Sequence, residues 1–190
     1  MEQLLHLDKE LFVFLNGLGS ESFDGFWKII TKQLHWTPFF LGIFYLLQKK
    51  VGWKNFGIII LFLALLITFT DQITNLFKNG FQRLRPCNTP EIKDIIRVVV
   101  KRSSFSFFSG HAANSMASTM FIFLIIRRYY NYSFLLFLFP LIFAYSRIYL
   151  GLHFPLDILS GYVFGMLSGL FFYKLYEGFM RKYPKYSINL

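Results

Sequence analysis

His153 stands six residues after Arg147 and four before Asp157 in the stretch "SRIYLGLHFPLD". Pro155 suits the first turn of a helix, which leaves His153 just outside that helix and Asp157 inside its first turn. From there the carboxylate can reach back to one ring nitrogen, fixing the imidazole tautomer and supporting positive charge on the ring. Capping the helix is the plainer task for Asp157, and the two tasks are compatible. Arg147 adds a ligand for an anion. A second group lies in "SFSFFSGHAANS", where Ser109 and Gly110 would open a helix. A serine cap, a glycine without side chain and the helix dipole together make a cradle for an oxyanion or phosphate. His111 sits within it, although a lone histidine at a helix start is more often a structural hydrogen-bonder. The third group is "KNGFQRLRP". Lys78 and Arg85 would face the same way on a continuing helix, about 10 Å apart, before Pro86 turns the chain. A planar fork and a point charge form a clamp for an anion. Arg83 reads instead as a cationic anchor at the helix end.

Each group alone is weak; together they have a chemical sense. An oriented neutral histidine is a nucleophile or a base. Lys78, Arg85 and Arg147, with no carboxylate cluster beside them, suit a phosphoryl group whose charge must be stabilised through transfer. The paired acids of a glycosidase are absent. The four histidines are widely spaced and Cys87 is the only cysteine, so no metal-ligand motif and no internal disulfide is expected. Phosphoryl transfer without a metal or other cofactor is what remains.

The elements that must position these residues are apolar helices. The chain is 55% hydrophobic and only 16% charged, with its apolar residues in long continuous runs. Such runs read as membrane spans, and their continuity argues against an alternating β-barrel. The expected fold is an all-α polytopic membrane bundle: about five transmembrane helices plus an N-terminal amphipathic helix, in one domain over residues 1–190. The amphipathic helix covers 4–18, and the spans cover 26–47 (interrupted near Pro38), 56–77, 109–126, 134–150 and 156–176. The acidic N-terminus does not have the form of a cleavable signal peptide.

The formal charge of +10 fits span-end lysines and arginines better than a nucleic-acid surface. Lys49, Lys50, Lys54, Arg127, Arg128, Lys174, Arg181, Lys182 and Lys185 fall on one side, which the positive-inside rule makes cytoplasmic. The three polar groups fall on the other side, which is also basic.

The order and spacing of these motifs resemble the type 2 phosphatidic acid phosphatase family, relatives of the acid phosphatases and vanadium haloperoxidases. That family carries a lysine, six residues, then Arg-Pro, matched by Lys78 and Arg85-Pro86. Its Pro-Ser-Gly-His is matched by Ser109, Gly110 and His111, with Phe108 where the family has proline. Its Ser-Arg, five residues, His, three residues, Asp is matched by Ser146-Arg147, His153 and Asp157. The resemblance implies that His153 attacks phosphorus to give a phosphohistidine and that Asp157 orients it. His111 would protonate the leaving oxygen and then activate water. Lys78, Arg85, Arg147, Ser109 and Gly110 would hold the phosphoryl oxygens, with no metal. It implies a lipid phosphate as substrate and a bacterial inner membrane as location; the charge bias puts the active site on the periplasmic, outer face. The chain's length is similar to that of members acting on undecaprenyl diphosphate or phosphatidylglycerol phosphate. A non-enzymatic membrane protein that binds or transports a lipid phosphate is the alternative; five apolar spans speak against a soluble haloperoxidase. Oligomeric state is not legible.

Three further features carry expectations. Asp71 and Asn75 share a helix face with Lys78, and an acid in a span calls for a partner: pairing with Lys78 or another basic residue near the site is expected, with a purely structural ion pair as the alternative. Gly161, Gly165 and Gly169 recur every four residues, which favours close helix packing within the bundle over a dimer face. The basic loop from Cys87 to Phe105 could either recruit anionic headgroups or simply be solvated.

Overall fold

The computed structural model describes residues 2–183, so Lys185 lies outside the described residues. Within them the chain is built from six α-helices: α1 (Glu2–Gly17), α2 (Asp24–Ile30), α3 (Thr37–Phe81), α4 (Gly110–Ile126), α5 (Leu138–Tyr149) and α6 (Pro155–Lys182). α3 is two spans joined at a turn, because Gly52 adopts φ 75° and ψ 164° and reverses the chain there. Only glycine visits that region without strain. α3 and α6 are long and apolar enough to cross a membrane, while α4 and the Ser133–Tyr149 segment are shorter apolar helices.

The first expected span begins late. Residues 24–30 form the separate helix α2, and a short 3-10 turn at Gln33–Trp36 precedes α3. Pro38 lies at the start of α3 rather than inside a helix. Its fixed φ suits a first turn and its missing N–H costs nothing there, so the proline begins the span.

α4 and α6 run parallel and form the tightest pair. A Cβ added at Gly161 would come within 2.7 Å of the Ser109 carbonyl oxygen, and one at Gly169 within 2.7 Å of that of Ala117. At Gly165 it would collide with the backbone of Ala113. The glycine stripe is therefore a packing face inside the bundle, as its spacing leads one to expect. At one end, Val51, Ile126, Tyr176 and Met180 share a core, and Lys50 lies over the Tyr130 ring. At the other end Phe12 of α1 packs with Ile148, Phe154 and Ile158. All three polar motifs gather at that second end.

α1 is more than a surface helix. Asp8, Phe12 and Asn16, spaced by four, form its buried face. Asn16 Nδ2 donates to the carbonyls of Arg97, Ile148 and Tyr149, and its Oδ1 accepts from the Arg97 N–H at 2.8 Å. It thereby ties the basic loop to the end of α5. Arg97 goes on to Asp24 at 2.9 Å, so this loop arginine is a structural contact.

Candidate active site

The segment between α5 and α6 sets the position of His153. Gly151, at φ 81°, makes the turn, and its carbonyl accepts from the Cys87 N–H. The Arg147 carbonyl accepts from the N–H groups of Leu152 and His153 at 2.9 and 3.3 Å. His153 is 1% exposed and Asp157 0%. Arg85 Nη1 donates to His153 Nε2 at 3.0 Å and to the Leu152 carbonyl at 2.9 Å. Its Nε and Nη2 donate to the backbone and hydroxyl oxygens of Ser104. An arginine cannot accept, so Nε2 presents its lone pair and the ring proton belongs on Nδ1. His153 Nδ1 lies 3.5 Å from Asp157 Oδ2. Burial, then the charges of Arg85, Arg147 and Lys78, hold the His153 imidazole well below its ordinary value, so the ring is neutral near pH 7.

Asp157 caps α6 and stands beside the imidazole, whose Nδ1 has no hydrogen-bond partner among the described residues. Its Oδ2 accepts from the Phe154 N–H at 3.0 Å, capping α6, while the same carboxylate faces the imidazole. The Asp157 backbone carbonyl accepts from the Ser109 N–H at 2.9 Å, which fastens the start of α4 to the start of α6. Ser109 Oγ accepts from the Ala112 N–H, as a helix cap does. A Cβ on Gly110 would stand 3.2 Å from Thr74 and 3.7 Å from Lys78 Nζ. The bare glycine thus leaves the ammonium room beside the helix start. His111 stacks on Phe143, with ring centroids 5.2 Å apart. Arg147 is buried and donates from Nη1 to Thr31 Oγ1. Lys78, Gly110 and His111 line one cavity of about 280 Å³, whose polar wall continues through Asp71, Asn75 and Asn114. All eight residues singled out in the sequence therefore meet at one end of the bundle.

Two expectations are corrected. Arg83 is no membrane anchor: its Nη1 donates to Asp157 Oδ1 at 2.7 Å and its Nη2 to Asp8 Oδ2 at 2.6 Å. Its guanidinium also lies over the Phe154 ring, 4.2 Å from the centroid. The chain leaves the helix after Phe81, with Gln82 in the left-handed region, and this turns Arg83 inward. Asp71 pairs with no basic residue among the described residues. It accepts from Asn114 Nδ2 at 2.7 Å, and Asn114 Oδ1 in turn accepts from Thr70. Lys78 is two turns away along the same helix, whereas Asn114 faces Asp71 across the α3–α4 contact. Asp8 was legible only as an acid on the apolar face of an amphipathic helix, and Phe108 packs between Phe77 and Phe164.

Comparison with known proteins agrees with this geometry. The family model described as the PAP2 superfamily matches residues 56–181, which hold all three motifs. The chain belongs to the PAP2 superfamily. It is an enzyme, a phosphoric-ester hydrolase of the membrane lipid-phosphatase kind. A lipid A 4'-phosphatase of Bacteroides thetaiotaomicron is 36% identical over 91% of this chain and 78% of its own length. A second lipid A 4'-phosphatase, from Porphyromonas gingivalis, is 31% identical over 93% of this chain and 75% of its own. Phosphatidylglycerophosphatase B of Bacillus subtilis is 33% identical over 65% of this chain and 60% of its own. In fold, a transmembrane PAP2-type phosphatidylglycerolphosphate phosphatase from Bacillus subtilis superposes with a TM-score of 0.70 at 20% identity, over 96% of this chain and 89% of that one. Aquifex aeolicus LpxE superposes with a TM-score of 0.64 at 24% identity, over 87% and 93%. The six-helix PAP2 bundle is thus the architecture of this chain.

Proposed function

We propose that the chain removes a phosphate monoester from a sugar-based membrane lipid of the lipid A type, through a phosphohistidine on His153. The observation that carries the mechanism is the hydrogen bond from Arg85 Nη1 to His153 Nε2 at 3.0 Å. It leaves the nucleophilic lone pair facing the cations that would hold a phosphoryl group. As the phosphate arrives, Arg85 passes from the ring nitrogen to a phosphoryl oxygen, joining Lys78, Arg147, Ser109 and the Gly110 N–H. His153 Nε2 forms the N–P bond as the P–O bond to the lipid breaks, and His111 gives its proton to the leaving oxygen. Water then attacks phosphorus, His111 takes the water's proton, and the N–P bond breaks to release inorganic phosphate. Asp157 steadies the positive charge that the ring carries between the two steps.

The substrate class rests on the two lipid A 4'-phosphatases, which align with more than nine-tenths of the chain. The polar wall of the cavity supports it, since Asp71, Asn75 and Asn114 offer donors and acceptors to a sugar ring beside His111. The site belongs on the periplasmic face of a bacterial inner membrane, because the Gly52 turn and the 127–132 segment carry Lys49, Lys50, Lys54, Arg127 and Arg128 at the opposite end.

The deciding experiment is phosphate release by the purified chain in detergent with EDTA present. The panel holds lipid A, phosphatidylglycerol phosphate, phosphatidic acid and undecaprenyl diphosphate, with His153→Ala as control. Release that is fastest on lipid A, survives EDTA and vanishes in the variant is the expected result. Faster release from phosphatidylglycerol phosphate would transfer the substrate assignment to that lipid, and activity retained by His153→Ala would sink the mechanism.

A further inference from the structure

Asp157 is joined to more than His153. Arg83 bridges Asp157 and Asp8, with bonds of 2.7 and 2.6 Å to their carboxylates. Asp8 Oδ1 accepts in addition from the Leu156 N–H at 2.8 Å, so α1 is hydrogen-bonded into the first turn of α6. Each carboxylate uses both oxygens as acceptors from N–H groups, which is the geometry of an ionised acid. Both side chains are essentially closed to solvent, and Arg83 is 19% exposed.

An arginine paired with Asp157 alone would cancel the charge that a phosphorylated imidazole needs behind it. A second carboxylate on the far side of the same guanidinium restores one net negative charge to the group. We propose that Asp8 and Arg83 are positioning residues that set the electrostatic field on His153, with Asp8 sharing Arg83 so that Asp157 keeps its effect on the ring. The amphipathic helix is then part of the catalytic unit. This rests on His153 being the nucleophile.

Several other charged groups face His153. They are Arg85 from the segment after α3, Lys78 from α3, Arg147 from α5 and Asp157 from α6. His111 of α4 lies on the same side of the bundle, and Arg102 stands near Arg85 and Arg147. None of these is changed by substitutions at positions 8 and 83. The formal charge of the Asp8–Arg83–Asp157 group is −1 in the native chain, 0 in Asp8→Asn, −2 in Arg83→Gln and −1 again in the double variant.

The test is the titration of the His153 ring by NMR, on full-length chain with isotope-labelled histidine in detergent micelles, with inorganic phosphate added until the His153 signal no longer moves. The His153 signal is assigned from its loss in His153→Ala. Asp8→Asn should lower the ring pKa and Arg83→Gln should raise it, each by on the order of one pH unit. The double variant should return close to the native value. Asp8→Glu, which keeps the charge, should titrate like the native chain and serves if Asp8→Asn does not fold. Shifts of the same sign, no shift, or a double variant that does not return would overturn the proposal. The readout needs no turnover, so it stands apart from the phosphate-release assay: a His153→Ala protein that still hydrolyses lipid would fail the functional reading without touching the titration.

Discussion

Arg85 Nη1 and His153 Nε2 lie 3.0 Å apart, with the arginine as donor. One contact thus selects the imidazole tautomer, with the Nε2 lone pair directed at the guanidinium and the ring proton on Nδ1. The arginine can do this because four bonds, to Ser104 twice, Leu152 and His153, hold its fork.

A lysine at position 85 would keep the charge and lose the fork. Arg85→Lys should lower kcat/KM by roughly 10- to 150-fold, the equivalent of one charge-assisted hydrogen bond. Steady-state kinetics on the lipid that turns over checks this, and a change within about twofold would show that charge alone suffices.

The buried His153 predicts how stability depends on pH. Its native-state affinity for a proton is held well below that of an ordinary imidazole, whose pKa is 6.5. Below that value the unfolded chain binds a proton that the native chain does not. The His153 contribution is therefore fully present above pH 6.5 and is lost as pH falls from there toward the native-state pKa. Thermal midpoints in detergent between pH 7.5 and 5 should fall with acid, and His153→Gln should flatten the slope by up to about 1.4 kcal/mol per pH unit. Equal slopes in the two proteins would contradict the buried neutral ring.

Gly165 has no room for a side chain, because an added Cβ would meet the Ala113 backbone. Gly165→Val should push α4 from α6 and lower stability by about 1–3 kcal/mol, with part of the loss appearing as misplacement of Ser109 against Asp157. A thermal midpoint equal to that of the native chain would show that the pair is not tightly packed.

Asn16 ties the loop after α3 to the end of α5 through four hydrogen bonds at a fully buried amide, two with Arg97 and one each to the carbonyls of Ile148 and Tyr149. Asn16→Ala should cost about 1–3 kcal/mol and speed tryptic cleavage at Lys93, Arg97 or Lys101. Unchanged cleavage would mean that the loop is held by its other contacts, chiefly Arg97 with Asp24.

The sidedness is open to direct labelling. Cys87 is buried, so the native chain gives a low background. Lys93→Cys, on the exposed loop, should react with a membrane-impermeant maleimide added outside spheroplasts. Reaction only after lysis would invert the orientation.

The three motifs were legible because each lies within one helix end and its flanking turn. Pro155 starts a helix wherever it is placed at the first turn, and Asp157 then necessarily stands near His153. The same locality explains why Ser109 and Gly110 announce a helix start and why glycines every four residues mark a packing face. The departures are of two kinds. Pro38 opens α3, where its place in an apolar run suggests an interruption, because a proline there can equally begin or break a helix. The Gly52 turn separates the two halves of α3 where the lysine-rich sequence indicated only a loop.

What the sequence by itself determined was the apolar helical bundle and which polar residues gather at one end of it, since period, helix-end chemistry and motif spacing act over a few residues. What only the tertiary structure decided was who pairs with whom across the bundle. Arg83 meets Asp8 and Asp157 from 75 and 74 positions away, and Asn16 meets Arg97 across 81. Such pairings depend on which helix faces pack together, and on the need to give every buried charge or amide a partner once water is excluded. That requirement joins an arginine beyond a helix end and an acid on a greasy helix face to Asp157, beside His153.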